Sequence, residues 1–148
     1  MLLRRERAMT AVAIMLDVAF HAGRSEAVSA ADIAERLGQA RRGIEPVLQA
    51  LSRAGLLDSI RGPKGGYRLG RPPRDLRVAE IVSTALDEDA GAEVPAGRLQ
   101  AAVVQPLWTE MEALCRDHLS RLTVADLIKR AAAAGVKRPT VEPLNFVI

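Results

Sequence analysis

The chain has 148 residues, 49% of them hydrophobic but only 3% aromatic. That length suits one compact domain, or a small domain with an appended element, and the core must be built from Leu, Val, Ile and Ala. The composition leans towards helix. One cysteine, Cys115, excludes an intramolecular disulfide, and with only two histidines there is no Cys/His set for structural zinc. The net charge of +3 is unevenly shared: residues 1–77 carry 14 Lys/Arg against 8 Asp/Glu, and residues 78–148 carry 7 against 10. The basic half is the one a polyanion would meet.

The first predicted helix covers residues 8–20, with an apolar stripe of Val12, Leu16, Ala19 and Phe20, and Gly23 as its stop. Asp17 and His21 break the apolar run, which argues against a secretory signal. No stretch approaches the roughly 20 apolar residues of a membrane span, so a cytoplasmic protein without membrane contact is expected. Ser29, with Asp32 three residues on, opens a second helix, and Gly38 closes it. Its buried side is Ile33, Ala34 and Leu37. A third helix runs from about residue 40 to 54 with Ile44, Val47, Leu48 and Leu51 at helical spacing. Pro46 is tolerated best if that helix starts at Arg42 or Gly43, which leaves its missing N–H near the first turn.

Residues 56–60 and 67–69 read as two short strands around Gly62-Pro63-Lys64-Gly65-Gly66, a strong hairpin-turn signal. A helix over 76–86 follows, with Val78, Ile81, Val82, Ala85 and Leu86 on one face. The stretch 87–97, rich in Gly, Pro and acids, reads as a connector, and the domain division is 1–86, a linker over 87–104, and 105–148. A long helix over 105–121 accepts Pro106 in its first turn. It carries an apolar stripe of Val104, Leu107, Trp108, Met111, Leu114, Cys115 and Leu122. Thr123 and Asp126 repeat the capping pattern before a last helix that ends at Gly135. The tail 144–148 is apolar enough to pack on its own or a partner subunit.

A short capped helix, a turn at Gly38 and a second helix make a helix-turn-helix, and the basic hairpin behind it makes a wing. The expected fold is therefore mainly α with a small β-hairpin: a winged helix-turn-helix followed by a long C-terminal dimerisation helix. In such a motif the N-terminal residues of the second helix face base edges in the major groove. Gln39, Arg41, Arg42 and Glu45 stand there. Arginine can pair with guanine O6 and N7, and glutamate can accept from cytosine N4. In the wing, Arg61, Lys64 and Arg68 surround the glycines, among them Gly65, which let the backbone approach a groove wall. The expected partner is double-stranded DNA, and the expected role is transcriptional regulation, most simply repression.

The chain resembles the Rrf-two family of bacterial regulators. The resemblance is carried by AVAIMLDVA (11–19), ADIAERL (31–37), LSRAGLL (51–57), RGPKGGYRL (61–69) and LTVADL (122–127). It implies homodimers joined through the long helix, hence a dimer face of Leu107, Trp108, Met111, Leu114, Cys115 and Leu122. A near-palindromic operator follows from that symmetry. The resemblance also implies Arg61 as the wing residue and Glu45 as a base reader. The recognition helix departs from the common pattern at Arg42, Gly43 and Pro46. Several relatives hold an iron–sulfur cluster on three cysteines, one with an added histidine, before a Trp that matches Trp108. Here those positions are Ala90, Ala96, Ala102 and Gln105. Cluster iron needs thiolates or an equivalent donor set, so no cluster, metal or other cofactor is expected.

Cys115 reads as a small buried hydrophobe before it reads as a redox switch. His21 and His118 share no ligand spacing, and Trp108 reads as a core or interface anchor that could also border a pocket for an unidentified small-molecule effector. Asp87, Glu88 and Asp89 read as a solvated helix end. No nucleophile–base pair, metal set or phosphate loop points to an enzyme. Two alternatives stay open: a redox, small-ligand or cluster sensor with atypical ligands, and a winged-helix adaptor that binds protein.

Overall fold

The computed structural model describes residues 5–22, 26–87 and 97–136. Its elements in chain order are α1 (Arg5–His21), α2 (Ala30–Leu37), α3 (Arg41–Arg53), β1 (Leu57–Ile60), β2 (Gly66–Leu69), a 3-10 turn (Pro73–Asp75), α4 (Val78–Asp87), a π-helical turn (Gln100–Val104), α5 (Gln105–Ser120) and α6 (Val124–Ala133). This is the mainly helical winged fold that the sequence implies.

α1 is the hub, packed against α2, α3, α4, α6 and β2. Its core face is Ala11, Ile14, Met15 and Val18, all fully buried, with Ala19 beside them. Val12 and Leu16, expected to lead the buried stripe, are only partly buried at the edge of the core. From Ala11 to Phe20 the helix is apolar nearly all round, so spacing alone cannot choose its inner face. Gly23, its expected stop, lies outside the described residues.

Asp17 is the polar exception on this helix. It is 8% exposed and accepts two hydrogen bonds from the Arg36 guanidinium of α2, at 2.8 and 2.9 Å. His21 Nε2 lies 3.7 Å from the same carboxylate. The hydrogen bond to Asp17 raises the Arg36 pKa further. A carboxylate this buried is tolerable only when so paired. Asp17→Ala should therefore cost about 2–3 kcal/mol of stability, because it removes the two charge-assisted hydrogen bonds that tie α2 to α1. Urea unfolding reads this directly, and a midpoint equal to wild type would contradict it.

The ends of α2 follow local rules. Ser29 Oγ accepts from the Asp32 N–H at 3.1 Å. At the other end Gly38 takes the left-handed conformation at φ 65° while its neighbour's N–H, on Gln39, closes back on Ala34 O. α3 starts at Arg41, earlier than the Arg42 or Gly43 that Pro46 favours, so Pro46 lies inside the helix. The hydrogen bond it cannot make would have gone to the carbonyl of Arg42, an exposed residue that water can serve. Ile44, Val47, Leu48, Ala50 and Leu51 bury the opposite face.

β1 and β2 pair antiparallel, with Leu57 opposite Leu69 and Ile60 opposite Gly66. Val28 adds a third strand position through two 2.8 Å backbone bonds with Tyr67. Two glycines make this possible. A Cβ on Gly66 would press into the Val28 carbonyl, and one on Gly65 into the Ile60 carbonyl.

Behind the wing, Val78 N–H donates to Leu122 O and Val124 N–H donates to Leu76 O, each at 2.9 Å. This bridge between Arg77 and Thr123 brings the start of α6 home, and Val124 is fully buried in the same core as α1 and α3. Thr123 and Asp126 form a reciprocal capping box. The Thr123 N–H and hydroxyl lower the Asp126 pKa below its ordinary 3.8. A carboxyl lowered on folding stabilises the fold above its unfolded pKa, and that contribution fades as the pH falls through the folded value. Residues 98–104 are helical and run straight into α5. α5 stops at Ser120, which places Leu122 beyond it. The tail 144–148 and the acids of 88–96 lie outside the described residues. No helix among the described residues is long and apolar enough to cross a membrane.

Candidate nucleic-acid interface

The turn Gly38–Gln39–Ala40 and the first turns of α3 hold four of the residues singled out above. Gln39 is not free. Its amide nitrogen donates to Thr10 Oγ1 of α1 at 3.2 Å, so α1 steadies the turn that leads into α3. Arg41 and Glu45 meet each other, with Arg41 Nε donating to Glu45 Oε1 at 3.0 Å. Arg42 is exposed and has no partner among the described residues.

The start of α3 breaks the rules that α2 and α6 obey. Its N-cap is Ala40, which makes no side-chain bond, and its first turn holds no acid. Instead two arginines sit where the helix dipole is positive, an arrangement that costs stability rather than adding it. Such a local conflict is what a functional site leaves behind. An anionic surface against this end would supply both the missing cap and the missing countercharge.

In the wing, Arg61, Pro63 and Lys64 are exposed, and Arg61 and Lys64 have no partner among the described residues. Arg68 is less available: its Nε lies 3.6 Å from Asp58 across the hairpin. Gly65 is half-buried under the turn, where its N–H closes on Gly62 O at 2.9 Å, so its role is to shape the loop. Arg71 is held by Glu80 at 2.7 Å.

Two residues behind this surface escape a reading of the sequence alone. Thr10 grips Gln39, and Asp17 grips Arg36 of α2. Asp17 does carry a signal, since an acid inside an apolar run asks for a cationic partner. Thr10 gives no such signal. Gln49, exposed one turn beyond Glu45 on α3, is likewise unmarked by any pattern in the sequence.

The expected dimer stripe divides in two. Leu107 and Leu114 are 51% and 72% exposed, and Leu99 and Val103 extend the exposed apolar row towards the helix start. Met111 and Cys115 are half-buried on another side of α5, and Trp108 stands between at 39% exposed. α5 packs on α4.

The sequence pattern of the Rrf2 family, described as "Iron-dependent Transcriptional regulator", matches residues 5–130. The chain belongs to the Rrf2 family. The HTH-type transcriptional regulator IscR of Vibrio atlanticus is 36% identical over 124 residues, 80% of this chain and 70% of that protein. IscR of Vibrio campbellii is 34% identical over 124 residues, 80% of this chain and 73% of that one. Among solved structures, T. potens IscR superposes with a TM-score of 0.68 at 31% identity, covering 86% of this chain and 87% of that one. CymR, the global cysteine regulator of B. subtilis, gives 0.65 at 25% identity, covering 84% and 94%. The Rrf2 chain is thus a winged-helix transcriptional regulator, and its relatives are regulators rather than enzymes.

The family description raises iron directly. Of the positions where the resemblance implies cluster ligands, Ala102 and Gln105 are exposed on the helix and carry no thiol, while Ala90 and Ala96 lie outside the described residues. The single cysteine sits within α5. No group of three or more His, Cys, Asp or Glu among the described residues is placed to hold a metal. One thiol in the whole chain cannot supply a three-cysteine cluster site, so these residues do not fit the group.

Proposed function

We propose that this Rrf2 protein is a cytoplasmic homodimer that represses transcription by seating two recognition helices and two wings on a near-palindromic operator, without an iron–sulfur cluster. The observation that carries the reading is the uncapped, doubly cationic start of α3, followed by a wing with Arg61 and Lys64 unpaired among the described residues. Duplex DNA answers both features at once. Its phosphates meet the helix end and the wing, and its base edges meet Arg41, Arg42, Gln39 and Glu45. The exposed apolar row on α5 supports the dimer, because a second copy would bury it. Dimer symmetry in turn sets the operator symmetry.

The test is selection of bound duplexes from a random pool, followed by affinity measurements at two salt concentrations. A near-palindromic consensus is expected, with affinity falling steeply as salt rises. Arg61→Ala should weaken operator and random DNA alike and reduce the salt slope by about 1. A loss confined to the operator would contradict its role as a backbone contact.

A further inference from the structure

We infer that Arg41 and Glu45 read DNA as one unit, with Arg41 taking a guanine and Glu45 both steering Arg41 and taking the adjoining cytosine. This deepens the proposed DNA reading and rests on it. The 3.0 Å bond engages Arg41 through Nε and Glu45 through Oε1. Neither residue has another partner among the described residues, so both terminal amino groups of Arg41 and the second carboxylate oxygen of Glu45 remain unclaimed. An arginine held at Nε presents its two terminal nitrogens end-on, the fork that guanine O6 and N7 accept. The free carboxylate oxygen beside it can accept from cytosine N4.

The pair does little for the free protein. Both side chains are well exposed, at 64% and 46%, and such an i,i+4 pair adds at most a few tenths of a kcal/mol. Its order, cation first and acid one turn later, also runs against the helix dipole. Its value lies at a desolvated surface, where the fixed guanidinium loses less freedom on meeting a base. Two neighbours favour a close approach. A Cβ at Gly43 would meet nothing within 4 Å, so no side chain there holds α3 off a groove, and Ala40 before Arg41 is small.

The experiment is duplex selection and affinity measurement with wild type, Arg41→Ala, Glu45→Ala, Glu45→Gln and the double alanine variant, each checked for wild-type helicity. Glu45→Ala should reduce the guanine preference as well as the cytosine preference, each by about tenfold or more. Glu45→Gln should keep the guanine preference, since its amide oxygen still accepts from Nε, and lose the cytosine preference, since its other polar atom is a donor. The double variant should lose clearly less affinity than the product of the two single losses, because the guanine contact they share is counted in both and coupled residues are not additive. Losses that multiply, or a Glu45→Ala variant whose guanine preference is intact, would overturn the pairing while leaving the DNA reading in place. A wild type that binds no duplex would overturn both.

Discussion

Replacing Leu107 and Leu114 together by glutamate should yield a folded monomer whose operator affinity is lower by at least a hundredfold. Both side chains are more than half exposed, at 51% and 72%, so the substitution removes almost nothing from the fold of one subunit. A second copy laid along α5 would bury the row they form with Val103 and Leu99. Two carboxylates from each subunit would then face an apolar partner, at several kcal/mol for uncompensated charge. The loss on DNA follows from linkage: with the dimer gone, the second half-site is no longer presented at high effective concentration. Sedimentation velocity at micromolar protein should show a single monomeric species with wild-type helicity. A dimer of unchanged affinity would remove α5 from the interface.

The second large effect belongs to Gly66. Gly66→Val should cost about 3 kcal/mol or more and detach the wing, since even a Cβ would enter the Val28 carbonyl. Both backbone bonds between Val28 and Tyr67 would have to open. Thermal unfolding should show the drop, and duplex affinity should fall with it, as the exposed Arg61 and Lys64 lose their rigid support. Gly43 is the instructive contrast. It is helical with open space around it, so Gly43→Ala should raise stability by about 0.5–1 kcal/mol. If the two substitutions had equal effects, the steric account of the wing would fail.

Much of this architecture could be read from residues whose local chemistry is decisive. Ser29 and Gly38 bracket α2, Thr123 and Asp126 open α6, and the glycines between Arg61 and Tyr67 mark the hairpin, because caps and tight turns depend on nearby atoms alone. The inner face of α1 was not legible, since Ala11 through Phe20 offers apolar residues in every direction. Asp17 looked like an interruption of an apolar run, and only the packing of α2 across it reveals Arg36 as its partner. The stretch 98–104 looked like connector, yet it continues α5 backwards as helix. In the candidate interface, the residue types were legible but their pairings were not. Gln39 on Thr10, Arg41 on Glu45 and Arg68 beside Asp58 are side-chain choices made in three dimensions.

The central claim is that the arginine-rich start of α3 and the wing together grip duplex DNA. Titration of a fluorescent duplex, taken from the selected pool, across a salt series tests it most directly. The account predicts saturable binding by two chains per site, with log affinity falling linearly and steeply against log salt. No binding at low ionic strength, or an affinity indifferent to salt, would contradict it.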